Sequence, residues 1–248
     1  MNDTTRIIFT QGGKGGVGKT EVALSLVTWL HQQGLRPMLF DFDIENTNKS
    51  GLQNFYPEAT KLDIHRPGNL DEFFSVCHEP TTNIVLADMG AGAGTATYKW
   101  FEQAFEFAQD MQIAFTAVGV TNNDAGAVQS ILTWANNLRD RVDYLVVLNE
   151  MHIHQCDFEY WHQVPEVAKF LKVVKPEVML MSARVEEFQA ELRNQCLTLQ
   201  RVIDGDHDAK FFRYMKNIVR AKRAQRELYK GFDEAAAILT PALQPSEA

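Results

Sequence analysis

The chemistry of this chain starts at Gly13-Lys14-Gly15-Gly16-Val17-Gly18-Lys19-Thr20, an octet that fits the phosphate-loop pattern G-x-x-x-x-G-K-[ST]. Glycines let a backbone wrap tightly around an oxyanion with successive N–H groups facing it. A helix that begins at the end of such a loop adds the partial positive charge of its N-terminus. In that arrangement Lys19 neutralises the β- and γ-phosphates of a nucleoside triphosphate, and the Thr20 hydroxyl completes the coordination of Mg²⁺. The bland alternative is a glycine-rich turn with an incidental Lys-Thr. It leaves unexplained why the octet falls between a strand-like run and a helical one.

A phosphate cradle also needs carboxylates to hold the metal and organise water. Two apolar runs end in them, Phe40-Asp41-Phe42-Asp43 and Ile84-Val85-Leu86-Ala87-Asp88-Met89-Gly90. Ligands of open α/β sheets sit at the carboxyl ends of the strands, where these aspartates fall. Asp88 is the candidate to orient Mg²⁺ through its water shell, and Asp43 joins Thr20 and Asp88 as a metal-site residue. A helix N-cap or turn role is the competing reading for each aspartate, most evenly so for Asp41.

These residues need a frame, and the pattern of apolar runs supplies one. Short runs recur at Arg6–Thr10, Met38–Phe42, Ile84–Ala87, Ile113–Val118, Leu145–Leu148 and Val178–Met181. None alternates cleanly with polar residues, as expected of parallel strands covered on both faces. Between them, Val22, Ala23, Leu26, Val27 and Leu30 recur at helical spacing until Gly34 and Pro37 stop the helix. A second helix is expected over roughly Asp124–Leu138, with Val128, Ile131, Leu132 and Ala135 on one face. This alternation predicts a doubly wound, mainly parallel α/β sheet flanked by helices, in one domain over residues 1–248, with a frayed tail at 240–248.

Lys14 is more telling than the generic pattern, which does not require it. The stretch Lys14-Gly15-Gly16-Val17-Gly18-Lys19-Thr20 resembles the deviant Walker A motif of the ParA/MinD family of ATPases. Asp41-Phe42-Asp43-Ile44 looks like that family's switch I and Asp88-Met89-Gly90-Ala91-Gly92 like its switch II. Val146-Val147-Leu148-Asn149 resembles its strand-end asparagine that reads adenine. The resemblance spans roughly Arg6 to Leu192 but is motif-specific only at these four places. It implies ATP and Mg²⁺ as cofactors, slow and partner-stimulated hydrolysis, and a homodimer glued by nucleotide. It also implies that Lys14 reaches across the interface and that Asp43, helped more weakly by Asn48, positions the attacking water. The Asp-x-Gly-Ala switch II and the general layout also look like TraL-type ATPases of conjugative plasmids. Two departures stand out. Glu21 replaces the usual Ser or Thr and brings a carboxylate near the α-phosphate, and Ile44-Glu45 replaces a common Pro-Gln.

Charge adds a second feature. Residues 209–231 carry eight Lys/Arg against Glu227, a net +7, whereas the whole chain is −8 and its remainder −15. Read as a helix, this segment puts Phe211, Met215, Ile218 and Val219 on one face for docking. Arg213, Lys216, Arg220, Arg223 and Lys230 fall on another. The basic face suits non-specific duplex DNA. An anionic membrane and an ordinary solvated helix or protein contact are the alternatives. Separately, His152, His154, Cys156 and His162 cluster without matching a zinc spacing, and aromatic Phe158, Tyr160 and Trp161 interleave with them.

Composition closes off other classes. Hydrophobic residues at 45% and charged residues at 23% allow a packed core and argue against wholesale disorder. No apolar run approaches the ~18 residues of a membrane span, the first residues lack a secretory layout, and three scattered cysteines fit a reducing, cytoplasmic setting. The reading is therefore an ATP-dependent dimeric switch that positions, partitions or helps transfer DNA, working with a stimulating adaptor or cargo and nucleoid-associated if it binds DNA. The rivals are a MinD-like membrane-associated positioning ATPase, a ligase or kinase of dethiobiotin-synthetase type, and a metal-insertion chaperone.

Overall fold

A computed structural model describes residues 4–11, 13–43, 51–77, 83–91, 94–151 and 157–241. Its elements run β1 (Thr5–Thr10), α1 (Lys19–Gln32), β2 (Met38–Asp41), α2 (Leu52–Phe55), β3 (Thr60–Lys61), α3 (Pro67–Cys77), β4 (Ile84–Asp88), α4 (Gly94–Asp110) and β5 (Ile113–Thr121). They continue as α5 (Ala125–Leu138), β6 (Asp143–Asn149), α6 (Glu159–Gln163), α7 (Pro165–Val173), β7 (Glu177–Met181), α8 (Glu186–Asn194), α9 (Leu199–Asp204), α10 (Met215–Glu234) and α11 (Ala236–Leu239).

The seven strands form one sheet in the order β3-β2-β4-β1-β5-β6-β7, with every pairing parallel. Alternate side chains feed two cores. Ile7, Phe9, Val85, Ala87, Phe115 and Ala117 pack with α3 to α7. Ile8, Ile84, Leu86, Val118, Leu145 and Val147 pack with α1 and α8 to α11. Both faces are covered, which is why the strands read as unbroken apolar runs.

Each expected strand is present, extended by a residue or a few at its ends or, for β2, ending one residue sooner. β3 is new, a two-residue edge pairing of Thr60 and Lys61 with Phe40 and Asp41. Nothing so short carries a periodic signal. Helix α1 ends as expected: Gly34 adopts φ +78° and Leu35 N–H donates to the Leu30 carbonyl at 3.0 Å. Helix α5 is capped by Asp124, whose carboxylate accepts from Ala127 N–H at 3.0 Å.

The C-terminal region differs in detail from the expectation. Lys210–Arg213 form a 3₁₀ turn, and the long helix starts only at Met215. Thr240 is fixed, its hydroxyl donating to the Ala236 carbonyl at 2.9 Å, and Pro241 is buried, so the expected frayed tail is ordered over its first two residues. The rest of that tail lies outside the described residues. Among the described residues, no helix is long and apolar enough to cross a membrane.

Candidate functional site

The loop between β1 and α1 reads out its glycines directly. Gly13, Gly16 and Gly18 sit at φ +120°, +74° and +100°, where a side chain is strained. Space forbids one as well at two of them. A Cβ on Gly13 would lie 2.0 Å from Ser130 Oγ, and one on Gly18 would lie 2.5 Å from Asn149 Nδ2. Gly18, left-handed, is also the residue from which α1 springs, so the helix N-terminus opens onto the loop.

Lys19 is buried at the first position of α1 and folds back to donate from Nζ to the Lys14 carbonyl at 2.7 Å. Burial pushes its ammonium pKa down, while the nearby carboxylates of Asp88 and Asp43 pull it up. One turn of loop thus holds a cation over the glycine backbone with two acids behind it.

Asp88 ends β4 fully buried. Its Oδ1 accepts from Thr10 Oγ1 at 2.8 Å and its Oδ2 from Thr20 Oγ1 at 2.7 Å. Burial pushes its carboxyl up to about 6, against the two hydroxyl hydrogen bonds that favour the charged form. The expected metal pair Thr20 and Asp88 therefore stands in direct contact. Thr10 escaped the sequence reading. It lies at the end of β1, and its Oγ1 also accepts from Met89 N–H at 2.8 Å, so it sets both Asp88 and the start of the following loop. Only its burial inside a strand-end hydrogen-bond network marks it.

The first aspartate pair divides its labour. Asp41, wholly buried, accepts from Asp43 N–H and Gln53 N–H at 3.0 Å each, and Lys61 Nζ lies 4.0 Å away. It organises the turn after β2, and Gly51 is needed beside it because a Cβ there would come within 2.8 Å of Asp41 Oδ2. Asp43 instead lines the cavity over the loop and abuts Gly90, where a Cβ would fall 3.2 Å from the Asp43 Cα. Gly13 N–H donates to the Ala91 carbonyl at 2.7 Å, so the loops after β1, β2 and β4 touch one another.

Lys14 stands half-exposed at the rim, its Nζ 3.5 Å from Asp124 Oδ1 at the N-cap of α5. The Asp124 carboxyl is held below its usual range, mostly by the Ala127 N–H and then by Lys14. Asn149, at the end of β6, donates from Nδ2 to the Val17 carbonyl at 2.8 Å. Its amide nitrogen is spent on bracing the loop, a role that the expectation of base reading did not include.

Glu21 lines the cavity over the loop, but its carboxylate is engaged. It forms an ion pair with Arg184, whose side chain is only 7% exposed, in the turn between β7 and α8. The charge brought by this departure from the family pattern is thereby offset inside the protein. Arg184 is the second residue missed from sequence, since a lone arginine after a strand has no spacing signature. Above these groups lies a cavity of about 500 Å³, lined by Gly15, Lys19, Thr20, Glu21, Asp43 and residues of α8. That size suits a mononucleotide, and the glycine cradle, buried lysine and Thr20–Asp88 pair fit a magnesium-bound phosphate chain.

The basic candidates do not form one surface. Arg213 lies in the 3₁₀ turn beside Asp208 at 3.7 Å, and Lys230 lies 3.8 Å from Glu234. Arg220 is partly buried and donates to Asn217 Oδ1 at 2.9 Å. Lys216, Lys222, Arg223 and Arg226 are exposed without an acidic partner among the described residues. The docking face expected for this segment needs correction. Ala221, Leu228 and Phe232 make the buried stripe, whereas Met215 is 71% and Val219 55% exposed, next to Tyr214 at 63%. The helix starts six residues later than the expected 209, and its packed stripe runs through Asn217, Ala221, Leu228 and Phe232, a face that leaves Met215 and Val219 outside it.

His152, His154, Cys156, Asn48, Ile44, Glu45 and Gly92 lie outside the described residues. His162 is exposed on α6, and among the described residues no cluster of three metal-ligating side chains occurs.

Comparison with known proteins bears on the fold and the family. Over 59 residues the chain is 41% identical to the antiactivator FleN of Pseudomonas aeruginosa, a match covering 24% of this chain and 21% of FleN. Over 50 residues it is 46% identical to the septum site-determining protein MinD of Buchnera aphidicola, covering 20% and 16%. The matched segments are thus about a fifth of those relatives or less. The MinD cell division protein of Aquifex aeolicus superposes with a TM-score of 0.51 at 15% identity, covering 97% of this chain and 99% of that one. The ATP complex of a Cyanothece McdA variant gives 0.56 at 12% identity, covering 98% and 100%. These superpositions bear out the phosphate-loop α/β fold. Residues 8–237, nearly the whole sheet with its loops, match a single family description, and by it the chain belongs to the CobQ/CobB/MinD/ParA nucleotide binding domain family.

Proposed function

We propose that this chain is an ATP-dependent switch of the ParA/MinD kind, closing as a homodimer on ATP·Mg²⁺ and opening on hydrolysis to ADP and phosphate. The observation that carries this is the Lys19–Thr20–Asp88 constellation seated on a glycine loop, with Lys14 outside it at the rim. Backbone N–H groups of the loop and the α1 N-terminus bind the phosphates, and Lys19 offsets the charge that grows on the leaving oxygens. Thr20 would hold Mg²⁺ directly and Asp88 through its water shell; when bound, the ion supplies further charge neutralisation. Asp43 orients the attacking water, its backbone held by Asp41. Lys14 leaves Asp124, a weak and exposed pairing, to reach the partner's nucleotide. Asn149 steadies the loop and lends its carbonyl oxygen to the base.

Lys19→Ala is expected to abolish nucleotide binding in a fluorescent-ATP titration. Lys14→Ala is expected to retain binding but stay monomeric with ATP on a sizing column. Asp43→Ala should accumulate as an ATP-bound dimer. A Lys14→Ala protein that dimerises normally removes that lysine from the interface.

For the cargo surface the reading is duplex DNA held without sequence preference by α10, where Lys216, Lys222, Arg223 and Arg226 stand exposed and unpaired with acids among the described residues. The acidic remainder of the chain confines such binding to this helix. A specific observation favours a second reading, an anionic lipid surface: Tyr214, Met215 and Val219 present apolar area beside those cations. Binding to random duplex DNA and sedimentation with anionic vesicles, each with ATP and with ADP, separate the two. ATP-dependent DNA binding that falls steeply with salt supports the first. Vesicle binding lost in Met215→Ser/Val219→Ser supports the second.

A further inference from the structure

A second cavity, of about 310 Å³, lies between the β7–α8 turn and α10, apart from the phosphate loop. Three arginines line it, Arg184 from the turn and Arg220 and Arg223 from α10, with Glu227 as the one acid among them. Glu227 is engaged, its Oε1 accepting from Ser182 N–H at 2.7 Å. Arg184 pairs through Nη1 with Glu21 on the side toward the nucleotide cavity, and its buried Nη2 has no hydrogen-bond partner among the described residues. Glu21 and Glu227 both act on Arg184, and Glu150 accepts from Ala183 N–H at 3.1 Å beside the same turn, so the positive charge offered to a ligand is that of half-buried Arg220 and exposed Arg223 at the mouth. Val185, Phe188 and Leu228 supply apolar walls.

Three guanidinium groups around one cleft concentrate positive potential there, which draws an anion. Guanidinium forks match the planar, bidentate geometry of phosphate oxygens better than any other side chain does. The volume is at the lower limit of small-molecule pockets, about 300 Å³, which excludes a polymer and admits one ring with one phosphate. We infer that this cavity is a binding site for a small phosphate monoester carrying an apolar or aromatic body, its phosphate held by Arg184, Arg220 and Arg223 and its body against Phe188 and Leu228. This site is independent of the reading given above for the phosphate loop.

The test is titration calorimetry of the full chain with phenyl phosphate, run with ADP·Mg²⁺ at saturation so that the phosphate loop is filled. One saturable site is expected. Arg220→Gln and Arg223→Gln, both on the accessible side of α10 and outside the core, should each weaken it by about tenfold, the scale of one lost charge-assisted contact. Inorganic phosphate, which leaves the apolar wall unused, should bind several-fold more weakly than phenyl phosphate, and benzyl alcohol should not bind. Absence of saturation overturns the inference, as does binding unchanged in both arginine variants. Phenyl phosphate bound without ADP but displaced by it points to the phosphate loop or to a base-binding extension of it, and equally overturns a separate site. If ADP itself fails to bind while phenyl phosphate remains arginine-dependent, this inference stands and the nucleotide reading falls.

Discussion

At the scale of single residues, the centre of the site is a buried acid held by two hydroxyls. Thr10→Val removes the donor to Asp88 Oδ1. A buried acceptor left unsatisfied costs about 1–3 kcal/mol, and chemical denaturation should show a loss of that size with nucleotide binding weakened further. Asp88 itself gives a signed pH dependence. Its carboxyl stands at about 6 in the fold against a usual 3.8, chiefly through burial. Between those values the folded chain keeps a proton that the unfolded chain releases. Its contribution to stability is therefore full below about pH 4 and is lost as pH rises toward 6. Asp88→Asn abolishes this loss. The ligand-free variant is expected to melt higher than the parent above pH 6, by up to about 3 kcal/mol for a shift near two units, and to converge with it near pH 4. A melting difference that stays constant from pH 4 to 7.5 would refute the buried-acid assignment. These residues differ in how plainly the sequence shows them. Lys19, Thr20 and Asp88 are legible because motif spacing fixes the first two and an apolar run fixes the third. Thr10 is not, since a threonine closing a strand is ordinary until the fold sets it beside an acid 78 residues away.

At the scale of elements, the α1 N-terminus and the β7–α8 turn are locked by Glu21 and Arg184. Breaking such a pair from one side strands a charge. Glu21→Ala is expected to cost roughly 3 kcal/mol, the lower end for buried pairs, because Glu227 still faces Arg184. The double change Glu21→Ala/Arg184→Met should recover most of it, as apolar replacement of both partners does. Equal losses in the single and double variants, measured by urea denaturation, would show that removing Glu21 strands no charge on Arg184. Strand and helix order were readable because parallel strands and their crossover helices leave different apolar periods. The packed face of α10 was not. Two weakly apolar stripes compete on this helix, Met215–Val219 near its start and Ala221–Leu228–Phe232 further on, and only the fold shows that the second meets the core while Met215 and Val219 stay exposed. Glu21 shows the same limit in reverse, since its neutralising partner, Arg184, lies in a turn far along the chain.

On the scale of the whole molecule, a −15 remainder carries a +7 segment, and its DNA reading makes a quantitative demand. Four exposed cations, Lys216, Lys222, Arg223 and Arg226, contacting phosphates would give a slope of about −4 in log K against log salt for one protomer and about −7 for a dimer. A slope near zero, measured by fluorescence anisotropy on random duplex, would dismiss phosphate contact by α10. That helix is also moored at several points: Trp29 Nε1 of α1 donates to Asp233 at 2.8 Å, Phe232 packs against Trp29, and Leu228 is buried in the core. The mooring has a practical corollary. Lys216, Lys222, Arg223, Arg226 and Lys230 offer trypsin a row of accessible side chains on backbone that is entirely helical. A protease needs extended chain, so cutting must wait until the helix comes away. With α10 fastened to both α1 and the sheet, its release takes much of one core with it. The rate of tryptic nicking therefore clocks the opening of the protein as a whole, and nicking slowed by a bound ligand would measure that ligand's affinity without any label.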